Sequence, residues 1–259
     1  MILEFYKYQG TGNDFVMIDN RQKIIANYES QKISHLCDRR FGIGADGLIL
    51  LESHDTMDFK MVYFNADGNQ SSMCGNGGRC IVAFARFLGL IETQATFEAI
   101  DGAHSANIEG DKVSLQMQDV KGIETHKTHT FLDTGSPHHV ELVSDLNRLD
   151  VKSRGASIRY GAPYNEAGTN VDFVTKNAAD SFSVRTYERG VEDETYSCGT
   201  GVTAVALAMN YTGETDKNRI KLLTPGGALE VSFEKTETGY QDIWLIGAAT
   251  QVFKGAIVW

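Results

Sequence analysis

The sequence predicts an α+β protein of two pseudo-symmetric domains, each a curved, mostly antiparallel sheet wrapped around a central buried helix. Three observations carry this. Short alternating or β-branched runs recur along the chain, with few helical patterns between them. Two of the helical patterns are apolar on nearly every face, and a helix like that is surrounded by protein. Both open on the pattern Cys-Gly-x-Gly, at Cys74 and Cys198, 124 residues apart and close to half the chain. Many strands with one buried helix per half do not read as alternating β-α-β units.

In chain order, strands are expected over 3–8, 15–19, 48–52, 59–64, 113–117, 171–175, 182–187, 228–233 and 243–246. Turn signals stand between several of them, at Asp67-Gly68, Glu109-Gly110-Asp111 and Pro225-Gly226-Gly227. A helix is expected from Ser30 to Arg40, with serine at its start and Ile33, Leu36 and Cys37 on one face. The first long helix runs from about Asn76 to Leu88 and stops at Gly89; the second runs from about Thr200 to Tyr211 and stops near Gly213. Glycine terminates helices because it takes the left-handed conformation cheaply. The repeat divides the chain into a domain over 1–120 carrying Cys74, completed by a C-terminal strand over 249–259, and a domain over 121–248 carrying Cys198.

The 259 residues hold 24 basic and 34 acidic side chains, a net charge of −10. That argues against a nucleic-acid partner, since phosphate backbones select basic surfaces. It argues equally against a polybasic patch on anionic lipid. No apolar run approaches the ~20 residues of a membrane helix. The start lacks the basic flank and apolar stretch of a signal peptide. A cytoplasmic, globular protein is expected. Four cysteines are too few for a disulfide scaffold, and none form C-x-x-C, so no metal site is expected. Cys37 and Cys80 read as packing. His138 and His139, adjacent on an extended chain, point oppositely and do not make a metal pair. His126 and His129 read as surface residues. Gly42-Ile-Gly-Ala-Asp-Gly47 fits the dinucleotide fingerprint, but a helix precedes it and a strand follows, the reverse of what that motif needs.

The repeated cysteine carries chemistry. The first turn of a helix has unpaired N–H groups and a partial positive charge. A cysteine there is expected to have a lowered pKa. The amides of Gly75-Asn76 and Gly199-Thr200 could hold a carboxylate. Inverting a carbon centre needs a base on one face and an acid on the other. Two thiols sharing one proton serve both directions.

Six further segments complete the pattern of the two cysteine segments from Met73 and Ser197: Gly10-Thr-Gly-Asn-Asp-Phe-Val, Arg40-Phe-Gly-Ile-Gly-Ala-Asp-Gly, Tyr63-Phe-Asn-Ala-Asp-Gly, Gly135-Ser-Pro-His-His, Gly168-Thr-Asn-Val and Arg185-Thr-Tyr-Glu-Arg-Gly. Together they resemble the diaminopimelate epimerases over essentially the whole chain. The resemblance implies that fold, and epimerisation of LL- and meso-diaminopimelate for lysine and cell-wall precursor biosynthesis, with no cofactor. It implies Cys74 and Cys198 as the acid–base pair. Asn13, Asn65, Asn170, Glu188 and Arg189 would hold substrate polar groups, beside the donors of Gly75, Asn76, Gly199 and Thr200. His138 and Glu188 would support catalysis, and a homodimer is the family's form. Ser136 stands where many members have asparagine, and Gly47 where some have glutamine, so contacts at both differ from the family's. Two other readings compete: a proline racemase-like isomerase, which usually has histidine at the position of Asn76, and a thiol hydrolase or redox protein using Cys74 alone.

Overall fold

The computed structural model describes residues 1–71 and 73–259. The chain forms two compact units, Met1–Leu115 with Gly247–Trp259, and Gln116–Ile246. In chain order the first unit contains β1 (Ile2–Gly10), β2 (Asn13–Asp19), α1 (Ser30–Cys37), β3 (Gly47–Glu52), β4 (Phe59–Asn65), α2 (Gly75–Phe87), β5 (Gln94–Ala99), β6 (Gly102–Glu109) and β7 (Lys112–Gln116). The second contains β8 (Val120–Lys121), β9 (Glu124–Thr125), β10 (Thr130–Asp133), β11 (Pro137–Leu142), α3 (Val151–Tyr160), β12 (Asn170–Ala178), β13 (Ser181–Glu188), β14 (Asp193–Thr195), α4 (Gly199–Tyr211), β15 (Arg219–Thr224), β16 (Gly227–Lys235) and β17 (Gly239–Ala248). The last strand, β18 (Thr250–Val258), returns to the first unit.

In the first unit the strands lie in the order β18-β1-β2-β3-β4-β5-β6-β7, antiparallel except for the parallel pairs β2/β3 and β4/β5. Helix α2 packs against β1, β2, β3, β6 and β18, so the sheet curls around it. Its Cys80, Ile81, Val82, Phe84 and Ala85 are completely buried. Burying each large apolar side chain of this kind contributes about 1.5–3 kcal/mol. The continuous apolar run of β3 follows from having protein on both faces. Leu48 and Leu50 pack with Ile33, Leu36 and Cys37 of α1, while Ile49 lies against the first turn of α2. α1 differs from expectation at both ends. Glu29, not Ser30, is its N-cap, and it stops at Cys37 because Asp38 turns extended and its carboxylate takes the amides of Arg40 and Phe41.

In the second unit β9-β10-β11-β12-β13 run side by side, with β14 and β15 on the far edge of β13 and β16, β17 and β8 beyond β15. β11/β12 and β13/β15 are parallel. Helix α4 packs against β10, β11, β12, β13, β15 and β16, and every residue from Val202 to Met209 is buried. Both long helices end as expected, before Gly89 and Gly213, which have φ +72° and +81°. Helix α3 was not expected. It lies on β12 and β13 and buries only Val151 and Gly155. Among the described residues no helix is long and apolar enough to cross a membrane.

Candidate active site

Cys74 is the N-cap of α2, with extended backbone (φ −105°, ψ 146°), and its Sγ accepts the Gly77 amide at 3.2 Å. Two residues on, buried Asn76 donates from Nδ2 to Asn13 Oδ1 at 2.5 Å and accepts from Arg79 Nη2 at 2.9 Å. Asn13 opens β2 after the left-handed pair Thr11-Gly12, and its Nδ2 donates to Asp46 Oδ2 at 2.9 Å. Arg39 joins Asp46 and closes a two-pronged contact on Asp14, which Lys7 also meets at 2.7 Å. Burial pushes the Asp14 carboxyl up, but the hydrogen bonds from Arg39 and Lys7 outweigh it and hold it well below the usual range. The asparagine pair is thus held at both ends. Arg79 is completely buried, also donates to Thr11 Oγ1, and leaves Nε without a partner among the described residues. Burial lowers its guanidinium to about 10, against the opposing influence of Cys80 and Cys74. Asn65 stands apart from this network. It is exposed at the end of β4, where its backbone closes a turn with Gly68 and Asn69.

Cys198 is the N-cap of α4 in the same extended backbone, but without a side-chain cap hydrogen bond. Burial pushes its thiol well above the ordinary range, and the charges of Glu188 and Asp172 push the same way. The Thr200 hydroxyl lies 3.4 Å from Sγ, and a hydrogen bond from the Gly201 amide pulls the other way without overcoming the rise. The expected lowering at a helix start therefore fails at this cysteine. Desolvation and two carboxylates outweigh a partial charge. Around it, His138 Nδ1 lies 2.7 Å from Asp172 Oδ2 and His138 Nε2 lies 2.9 Å from Thr200 Oγ1. Thr186 donates to Asp172 Oδ1 at 2.7 Å. Asn170 Nδ2 donates to Ser136 Oγ at 2.8 Å and to the Pro137 carbonyl, while its Oδ1 accepts the Arg189 amide at 2.8 Å. Ser136 thus keeps one amide contact. Glu188 accepts from Thr195 at 3.0 Å, and the exposed Arg189 guanidinium donates to the Ala167 carbonyl.

Cys74, Asn76 and Asn13 thus share one neighbourhood, and Cys198, Thr200, His138, Asn170 and Ser136 share another. Asp172 and Thr186 were missed. The signal was there in Val171-Asp172-Phe173, a carboxylate inside an apolar strand. His129 departs from the surface reading. It is half-buried, its ring stacked 3.9 Å from that of His139 and 4.5 Å from that of His126.

A family model described as diaminopimelate epimerase matches residues 5–122 and 130–251. The diaminopimelate epimerase of Flavobacterium psychrophilum is 56% identical over 256 residues, covering 98% of this chain and 100% of that protein. That of Chlorobaculum tepidum is 42% identical, covering 96% and 98%. Among solved structures, a PhzF-family phenazine biosynthesis protein of Bacillus anthracis matches with TM-score 0.78 at 13% identity, over 100% of this chain and 99% of that one. A hydroxyproline epimerase from Agrobacterium vitis matches with TM-score 0.68 at 13% identity, over 99% and 92%. At such identities these two structures speak for the α+β fold alone. The sequence matches reach further, and by them this chain belongs to the diaminopimelate epimerase family.

Proposed function

We propose that this protein is an isomerase that interconverts LL- and meso-diaminopimelate in the cytoplasm, without a cofactor and as a homodimer, each unit serving as a domain that contributes one cysteine. The observation that carries the reading is the pair of helix N-caps, Cys74 and Cys198, in a chain of this family. The Cα proton is very weakly acidic, so removal needs a base on one face and stabilisation of the charge left behind. Cys74, whose sulfur already accepts an amide, starts as the base. Cys198, whose burial favours the thiol, starts as the acid that returns a proton to the opposite face. In the reverse direction the two exchange roles. The amides of Gly75, Asn76, Gly199 and Thr200 would hold the carboxylate beside the reacting carbon. Asn13, Asn65, Asn170, Glu188 and Arg189 would read the remaining polar groups. Ser136 would add a contact through Asn170, and His138 and Glu188 would support the thiols.

The test is deuterium uptake at Cα from heavy water. LL-diaminopimelate and L-proline are each incubated with reduced protein and with Cys74→Ala and Cys198→Ala variants. Uptake with inversion on diaminopimelate alone, requiring both cysteines, is expected. Uptake on neither substrate would overturn the reading, and uptake on proline alone would move it to the racemases.

A further inference from the structure

We infer that Asp172 is a positioning residue for this reaction: through His138 and the Thr200 hydroxyl it fixes the Cys198 thiol in one hydrogen-bonding arrangement. The inference rests on the proposed role of Cys198 and adds residues to it.

The strands set the row. His138 on β11 is in register with Asn170 on β12, and Asp172, two residues further along β12, is in register with Thr186 on β13. The His138 and Asp172 side chains have no exposed surface. An ionised carboxylate only accepts, so the 2.7 Å contact uses the proton on Nδ1 of His138. The Thr186 hydroxyl occupies the other carboxylate oxygen, which leaves Asp172 no freedom to swing. Gly201 has no side chain, and a Cβ there would stand 2.5 Å from Asp172 Oδ1. The carboxylate can therefore rest against the first turn of α4, where a negative charge is favoured.

With Nδ1 carrying the proton, Nε2 is an acceptor. An independent contact agrees. Asn170 turns its NH₂ group, not its carbonyl, toward Nε2 at 3.5 Å, and the Arg189 amide on Asn170 Oδ1 fixes that orientation. A protonated Nε2 would face a donor there. The Thr200 hydroxyl therefore donates to Nε2 at 2.9 Å and turns its lone pairs to Cys198 Sγ at 3.4 Å, where the thiol hydrogen is the donor. Thr134 pins the Thr200 carbonyl at 2.9 Å. Every proton from Cys198 to Asp172 then points one way. At the other cysteine the residue that corresponds to Thr200 in the repeat is Asn76, which bonds to Asn13 and Arg79.

The experiment reads the His138 tautomer in the intact protein by long-range ¹H–¹⁵N correlation, with assignment by loss of its signals in His138→Gln. Alongside, kcat and KM are measured for wild type, Asp172→Asn, Thr186→Val, Thr200→Val and Thr200→Ser. Wild type is expected to carry its proton on Nδ1 alone. Asp172→Asn is expected to move it to Nε2 and to lower kcat about 100-fold, within the range of one lost acid–base contribution. KM should stay within about threefold, since substrate contacts are untouched. Thr200→Ser should retain most of the rate that Thr200→Val loses. A proton on Nε2 of wild-type His138, alone or together with Nδ1, overturns the inference even if no variant folds. So does an Asp172→Asn protein with wild-type kcat. If wild type exchanges no Cα hydrogen of diaminopimelate, the epimerase reading fails instead, and the tautomer result stands separately.

Discussion

Cys74 and Cys198 occupy the same place at the start of a helix, yet their surroundings differ. The Cys74 sulfur is half-buried, whereas that of Cys198 is desolvated beside Glu188 and Asp172. Nucleophilic reactivity follows the thiolate. At pH 7.5, limited iodoacetamide is expected to modify Cys74 at least about tenfold faster than Cys198, read by peptide mass mapping. Equal rates would mean that desolvation does not govern Cys198. Cys37 and Cys80, whose thiols burial pushes up to about 12, should stay unmodified in the folded protein. At this scale the cysteines were legible because a repeated motif marks them. Asp172 was not, because one acidic residue in a strand looks the same whether it faces water or a buried imidazole. Only the pairing of β11, β12 and β13 decides that.

At the scale of elements, legibility followed apolar density. The two buried helices and strands such as Leu48–Leu51 announce themselves. β5 escaped because its inward positions are Ala95, Phe97 and Ala99, and alanine carries little pattern. α3 escaped because it buries almost nothing and has Gly155 in its middle. That glycine has a packing reason: a Cβ there would lie 2.3 Å from Tyr187 Cβ on β13. Replacing a mid-helix glycine by alanine ordinarily gains about 1 kcal/mol. Gly155→Ala is expected to reverse the sign and lose about 1–3 kcal/mol by overpacking, measured by urea unfolding. A stabilised variant would show that α3 can lift from the sheet freely. Gly201→Ala is a second case. Its methyl would displace Asp172, and turnover is expected to fall at least about tenfold with the fold retained. Unchanged turnover would show that the carboxylate can move without consequence.

For the whole molecule, acid sensitivity has a local source. Burial first, then His129, His126 and Arg154, pull the His139 imidazole down to about 3 from the ordinary 6.5. The unfolded chain takes that proton as pH falls below 6.5, while the folded protein refuses it until about 3. Stability from this group is therefore complete above 6.5 and is lost as pH falls through that interval. Between 6.5 and about 5, above the range of most carboxylates, the urea-unfolding free energy should decline by up to about 1.4 kcal/mol per pH unit. His139→Phe, which keeps a stacking ring, should flatten that decline. An equal slope in both proteins would remove His139 as its source. The general plan of strands around two helices could be read from the chain. The order of strands within each unit could not, because parallel partners such as β13 and β15 are chosen by tertiary packing.

The pairing of β1 with β18 bears on how the chain comes off the ribosome. Some 240 residues separate Gly10 from Thr250, and all of the second unit is synthesised between them. At roughly 5–20 residues per second, β1 waits on the order of ten to fifty seconds for its neighbour. During that interval one edge of β1 has open amides and carbonyls, the kind of edge that recruits the wrong strand. Its outward Glu4, and Lys7, which is buried against Asp14 in the finished fold, put charge into the exposed ribbon. The nascent first unit is therefore the part of this protein with most to gain from a chaperone.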